Sequence, residues 1–184
     1  MISVCETNLN DSIAIPEPLL KDFTFISANH PGGASRGGVG LFYKSSLPVI
    51  HRHDLSFNES IVIELKFGRK KIFFTVLYRS PASKYGSTEF ALFLSNFKNL
   101  HSSIMNEPYA TFFAGDFNAH SLFWWRDGDT NNEGREIEEL LTSLNLSQVI
   151  SEPTNFTPNK RPTCIDLIAT DQPNLVLDSG TRAS

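Results

Sequence analysis

A carboxylate and an amide two residues apart, Asp116 and Asn118, stand where an apolar run of this chain stops. The run, Tyr109 to Ala114, reads as a buried strand, and Gly115 ends it. In extended backbone, side chains two residues apart share a face, so these two groups are expected to converge on one object. A carboxylate that orients a water or holds a cation, beside an amide that binds a phosphoryl oxygen, suits phosphodiester hydrolysis. The same letters also make an ordinary turn at a strand end, and the motif alone leaves both readings open.

Further chemistry-bearing residues sit at other strand ends. Glu6 follows the short apolar start Ile2, Val4, and reads either as a strand-terminal ligand or as a solvated residue. Tyr78 and Arg79 close an apolar strand just before the turn-forming Ser80-Pro81; a phenol and a guanidinium there could bind phosphate, against the plainer reading of a half-buried aromatic and a surface charge. Asp166 interrupts Ile165, Leu167 and Ile168, so its carboxylate must face outward or be partnered, because unpaired burial is costly. His120 lies two residues beyond Asn118 and reads as polar surface or a substrate contact. Trp124 and Trp125, beside Phe123 and Arg126, could stack on a base or anchor the core. Gly37-Gly38-Val39-Gly40 does not open a helix, which excludes a dinucleotide fingerprint; a turn or close backbone approach is expected. Arg69, Lys70 and Lys71 read as a solvated hairpin tip.

The elements that position these groups are strands with two helices between them. Gly37 to Ile50, Ser60 to Phe67, Lys71 to Tyr78, Ser147 to Ser151 and Cys164 to Thr170 read as strands, with a hairpin turn at Gly68-Arg69-Lys70. Phe90, Phe93, Phe97, Leu100 and Ile104 recur at helical spacing, which predicts a helix over Thr88 to Met105 capped by Ser87 or Thr88. Ile137, Leu140, Leu141 and Leu144 predict a second over Asn131 to Leu144, closed by Asn145. This alternation favours a layered α/β sandwich over a doubly wound parallel sheet. At 184 residues the chain is read as one domain, 1–184, large enough to bury a core rich in its 15 Phe. A formal charge of −4 excludes a uniformly basic nucleic-acid binder but not a local groove. Cys5 and Cys164 lack metal spacing and read as reduced core thiols. No apolar run approaches the ~18 residues of a membrane span, so no membrane partner is expected. The first residues lack a basic, apolar signal pattern, and an intracellular location is expected.

Five motifs in order carry a resemblance: Cys-Glu-Thr at 5 to 7, Gly-Gly-Val-Gly-Leu-Phe at 37 to 42, Leu-Tyr-Arg-Ser-Pro at 77 to 81, Gly-Asp-Phe-Asn-Ala-His at 115 to 120, and Cys-Ile-Asp-Leu-Ile at 164 to 168. Together they resemble the endonuclease/exonuclease/phosphatase superfamily, and more narrowly the apurinic-type endonuclease domain that non-LTR (LINE-like) retrotransposons place ahead of their reverse transcriptase. The resemblance implies a four-layer α/β/β/α sandwich of the DNase I type. It implies Mg²⁺, with Mn²⁺ as a substitute, held by Glu6, and DNA as the substrate. It further implies that Asp116 orients the attacking water, that Asn118 and Tyr78 adjoin the phosphate, and that Asp166 partners a catalytic histidine. A downstream reverse transcriptase and a nuclear site of action follow from the same resemblance. Two features depart from the family pattern: an asparagine-bearing strand expected before Glu6, and a Ser-Asp-His strand expected after Asp166. The pattern therefore implies a fragment lacking the first and last strands, with impaired turnover. A non-catalytic remnant or domesticated binding module, and a phosphomonoesterase, remain alternatives.

Overall fold

The computed structural model describes residues 1–13, 20–31, 35–106, 108–125 and 129–181, with side chains throughout except at 82–87. Arg126, the neighbour of the aromatic stretch Phe123 to Trp125, lies outside the described residues. Two sheets are present. The smaller has the order β1-β3-β2, built from β1 (Ile2–Cys5), β2 (Phe23–Ala28) and β3 (Val39–Lys44), all antiparallel. The larger joins β4 (Val49–His51), β5 (Ser60–Phe67), β6 (Lys70–Tyr78), β7 (Ala110–Asp116), β8 (Ser147–Gln148) and β9 (Asp166–Thr170) in the order β4-β5-β6-β7-β9-β8. Strand β2 escaped the sequence reading, although Phe-Thr-Phe-Ile is rich in strand-forming residues. The predicted stretch from Gly37 to Ile50 divides into β3 and β4, and β8 is shorter than predicted.

Strands β5 and β6 form the predicted hairpin, with Phe67 opposite Lys70. Gly68 takes φ +63° at the first turn position, a conformation that suits a two-residue hairpin loop. Only β6 and β7 pair in parallel among the described strands, which requires a crossover, and α1 (Ala82–Ile104) supplies it. The helix begins at Ala82 rather than at the predicted Ser87 or Thr88 cap. Pro81 occupies the cap position at φ −57° without a side-chain bond, and its fixed φ suits a helix entry. One face of α1 lays Phe90, Phe93, Phe97, Leu100 and Ile104 on Phe73, Leu77, Phe113 and Phe117 of the larger sheet and the turn after it. Phe97 and Phe113 meet with ring centroids 4.4 Å apart. Each such buried side chain contributes roughly 1.5–3 kcal/mol.

Helix α2 (Asn132–Ser143) packs Ile137, Leu140 and Leu141 into the same core, on the same face of the sheet. The Asn131 side chain accepts a hydrogen bond from the Gly134 amide at 2.7 Å and starts the helix. Asn145 ends it at φ +54°, with Asn145 N–H donating to Thr142 O (3.1 Å) and Leu146 N–H to Leu141 O (2.9 Å), the paired bonds of a Schellman motif.

A second core lies between the sheets. Val39 and Leu41 of β3 meet Ile61, Ile63 and Leu65 of β5 and Val76 and Tyr78 of β6. The alternate residues of the same strands, such as Val62, Phe73 and Leu77, point to the helices, which is the period-two pattern of a sheet buried on both faces. Three layers of the expected four are therefore present among the described residues: helices, large sheet, small sheet. The outer face of the small sheet carries Ile2, Phe42 and Phe25 in register, with Val4 beside them; Ile2 is 50% exposed and Val4 37%. That apolar face is where a fourth layer would rest.

Candidate active site

Strand register brings three predicted residues into one row. Tyr78 at the end of β6 lies opposite Asp116 at the end of β7, and Asp116 lies opposite Asp166 at the start of β9. Glu6 reaches the row from the other sheet, where Tyr78 Oη donates to its Oε1 at 2.7 Å. The reach depends on a bend just after β1. Glu6 sits at φ +54°, and the next amides, Thr7 N–H and Asn8 N–H, bond to the carbonyls of Gly38 and Gly37. The other non-glycine residues at positive φ among those described are Asn or Asp, which tolerate it; Glu6 does not have that excuse. Strain of this kind, about 1–3 kcal/mol, gathers at functional positions.

Asp116 is half-buried, and its carboxyl is pushed up to about 7. Loss of solvent is the main cause, the Asn118 amide pulls the other way, and the nearby charges of Asp166 and Glu6 raise it further. The same neighbours act on Cys5, whose burial beneath the row holds its thiol near 12; Cys5 and Cys164 are both free. Asp166 is also raised by burial, with a Thr154 hydroxyl as the partner that offsets part of the effect. Its partner among the described residues is thus Thr154 and not a histidine. Of the histidines, His30 lies 3.3 Å from Glu59, His51 lies against His53 with the rings tilted by 40°, and His101 lies beside Phe113.

The approach of Asp116 and Asn118 arises differently from the sequence expectation. The backbone is not extended through residue 118, because Asn118 turns to φ +47°. Its amide N–H donates to Asp116 Oδ1 at 2.8 Å, and its side-chain Nδ2 donates to Arg79 O at 2.8 Å. The turn that was the plainer reading is therefore the device that orients the carboxylate. Just before it, Gly115 is required by spacing: a Cβ there would lie 1.8 Å from the Leu77 carbonyl oxygen.

Arg79 is read from the sequence as a phosphate contact or a surface charge; it is not a surface charge, because the residue is 5% exposed and turned inward. It donates to the carbonyls of Phe117, Asn118 and Ser80 and lies 5.0 Å over the Phe90 ring, clamping the turn that carries Asn118. Fixed donors and a planar, weakly hydrated head suit Arg to such a buried role. His120 is half-buried, and its backbone docks the start of α2 through Asn131. Trp124 anchors the core with its Nε1–H on Cys164 O at 3.1 Å, whereas Phe123 is 83% exposed.

The oxygen-rich set of Glu6, Asp116, Asp166 and Tyr78 fits a hard cation. Like charges already raise Asp116, so positive charge among them is favourable. Among the described residues no three His, Cys, Asp or Glu side chains form a ready-made cage. Mg²⁺ needs none, because it is commonly held by one or two carboxylates and keeps several waters.

This layered sandwich, with carboxylates gathered where its strands end, has the endonuclease/exonuclease/phosphatase fold of the solved structures it is similar to. Residues 72–182 match the endonuclease-reverse transcriptase family, and the chain belongs to it. It is similar to the RNA-directed DNA polymerase from mobile element jockey of Drosophila melanogaster, 25% identical over 156 residues, covering 82% of this chain and 16% of that protein. Among solved structures, the endonuclease domain of TRAS1, a telomere-specific non-LTR retrotransposon, is similar with 18% identity and a TM-score of 0.61, over 82% of this chain and 65% of that one. The 3′-5′ exonuclease NExo from Neisseria meningitidis is similar with 17% identity and a TM-score of 0.59, over 91% and 75%. The chain thus spans less than two thirds of the jockey protein and of the TRAS1 domain.

Proposed function

We propose that this chain hydrolyses phosphodiester bonds of DNA with the help of Mg²⁺ or Mn²⁺ held at Glu6. The observation that carries this is Asp116: half-buried, in register with Tyr78 and Asp166, beside the Tyr78 hydroxyl that bonds to Glu6, and with its carboxyl pushed up to about 7 by burial. A general base works best when its pKa lies near the working pH. Asp116 takes the proton of the attacking water, with its carboxylate held by the Asn118 amide. The second Nδ2 proton of Asn118 is left to meet a phosphoryl oxygen, while Tyr78 gives its one hydroxyl proton to Glu6 and so orients that carboxylate beside the phosphate. When bound, the cation neutralises charge developing on the phosphoryl and leaving oxygens. Asp166, with no histidine beside it among the described residues, contributes negative charge to the cation site.

The jockey and TRAS1 likenesses support a retrotransposon setting, in which a nick leaves a 3′-hydroxyl for a downstream reverse transcriptase to extend. Action on chromosomal DNA would place the protein in the nucleus. Among the described residues no helix is long and apolar enough to cross a membrane.

The test is relaxation of supercoiled plasmid by the purified chain in Mg²⁺, in chelator, and with Asp116→Asn. Nicking that needs the cation and falls by about 10²–10⁴ in the variant is expected for loss of a positioned base. Equal nicking by the variant, or nicking in chelator, would overturn the proposal. Plasmid binding with no cleavage would favour the binding-module alternative.

A further inference from the structure

A cavity of about 370 Å³ opens beside the candidate site and shares Tyr78 and Arg79 with it. Its volume lies within the ~300–1,000 Å³ range of small-ligand sites. Its walls combine the rings of Phe57, Phe90 and Phe93 with the polar groups of His30, Asn58 and Glu59. Phe90 and Phe93 lie nearly parallel, at 10°, and Phe57 meets Phe93 edge-on, with centroids 6.2 Å apart. Glu59 is a carboxylate only 7% exposed. Its Oε1 accepts the Gly38 amide at 2.6 Å and its Oε2 lies 3.3 Å from His30 Nδ1. A carboxylate has about four acceptor positions, so further N–H donors can be taken. A single carbon added at Gly37 would stand 2.0 Å from Glu59 Oε1 and 3.2 Å from Tyr78 Cε1. The cavity's carboxylate and the phenol of the row are thus near neighbours.

We propose that this cavity receives a nucleobase of the DNA strand adjoining the scissile phosphate, and that Glu59 selects bases with adjacent N–H donors, guanine above all. The proposal rests on the nuclease reading for the path of the strand. The rings supply an apolar, planar environment, while the carboxylate supplies the acceptors. Guanine presents a ring N–H beside an exocyclic amine on one edge, and thymine presents a single N–H flanked by carbonyls that a carboxylate repels. A paired contact of this kind discriminates between bases by roughly tenfold or more.

The experiment is fluorescence anisotropy with the intact chain in chelator, where no cutting occurs, using a labelled oligothymidylate and the same strand carrying one dG. The dG strand is expected to bind about tenfold tighter. Glu59→Gln, and Leu92→Trp at a half-exposed helix position lining the cavity, are each expected to remove that difference. Thermal unfolding of both variants reports whether they fold, and Leu92→Trp carries the test if Glu59→Gln does not. Equal affinity for the two strands, or a preference that survives Leu92→Trp in a folded protein, would overturn the proposal. Free dGMP competing as well as the strand, mole for mole, would overturn it too, because the cavity would then be a nucleotide site independent of the chain of phosphates. Plasmid nicking in Mg²⁺ separates the two readings: nicking without base preference removes only this one, and base preference without nicking removes only the other.

Discussion

Replacing Asp116 by Asn should stabilise the fold while removing activity, and the size of the gain follows from the site. The carboxyl is raised from the ordinary 3.8 to about 7, chiefly because burial penalises its charge. At about 1.36 kcal/mol per pKa unit, ionising it at pH 8 costs the folded state up to about 4 kcal/mol. Its partial exposure and local relaxation bring the expected figure down to about 2–4 kcal/mol. A group whose folded pKa is raised contributes stability that is fully present below the unfolded value. That contribution is lost as pH climbs through the folded value, here between about 4 and 7. Asn carries no charge and keeps an oxygen to accept the Asn118 amide bond. The variant should therefore melt higher than the parent at pH 8 by about 4–16 °C, taking 2–4 °C per kcal/mol for a chain of this size, with the gap closing toward pH 4. The assay is thermal and urea unfolding of both proteins across that range. Saturating Mg²⁺ should narrow the gap at pH 8, because a cation beside the ionised Asp116 is bound more tightly by the parent than by the neutral variant and so stabilises the parent more. A gap below about 0.5 kcal/mol at pH 8, within the scatter of ordinary surface substitutions, would refute the reasoning. So would a gap that persists undiminished at pH 4.

Three other outcomes are expected. Gly115→Ala should cost more than about 3 kcal/mol or prevent folding, because its Cβ meets the Leu77 carbonyl, and urea unfolding would show it. Asn145→Gly should raise stability by about 0.5–1 kcal/mol, since glycine adopts the positive φ of that helix end without strain; a loss in thermal unfolding would mean that the side chain has another task. Strand β1 has β3 as its one partner among the described strands and exposes Ile2 and Val4. Such edges template self-association, so Val4→Lys should shift sedimentation toward monomer, and unchanged sedimentation would argue that the edge is covered.

The core was legible because burial leaves a periodic trace. Phe90, Phe93, Phe97, Leu100 and Ile104 announce a helix face, and the structure lays them on the sheet in that order. Asn131 and Asn145 mark the ends of α2 because capping depends on side-chain chemistry that local sequence carries. What failed was mostly orientation. Whether Arg79 faces solvent or the carbonyls of residues 117 and 118 depends on β7 lying beside β6, a contact between residues far apart in the chain. The start of α1 was missed because Pro81 enters the helix without a capping side chain, leaving no signal of the usual kind. Glu59 drew no attention for a related reason: a carboxylate between Asn58 and Ser60 looks like a solvated turn until Gly37, Gly38 and His30 close over it.

The candidate site and the two cores ask opposite things of the same strands. Residues 72 to 77 and 110 to 114 bury their side chains on both faces and hold β6 and β7 rigidly in parallel register. Just beyond, at Tyr78 and Asp116, the strands carry polar groups that this register alone brings side by side. The backbone then departs from ordinary geometry at Gly115, Asn118 and, from the facing sheet, Glu6. Each departure aims a group at the same small volume: Gly115 lets the strands close up, Asn118 grips the Asp116 carboxylate, and Glu6 meets the Tyr78 hydroxyl. The strain and like-charge repulsion at that end are tolerable because the cores that hold it, centred on Phe97, Phe113, Ile63 and Val76, are fully buried. The site thus draws its geometry from stability generated elsewhere in the fold, and this is why neutralising Asp116 should strengthen the protein and disarm it together.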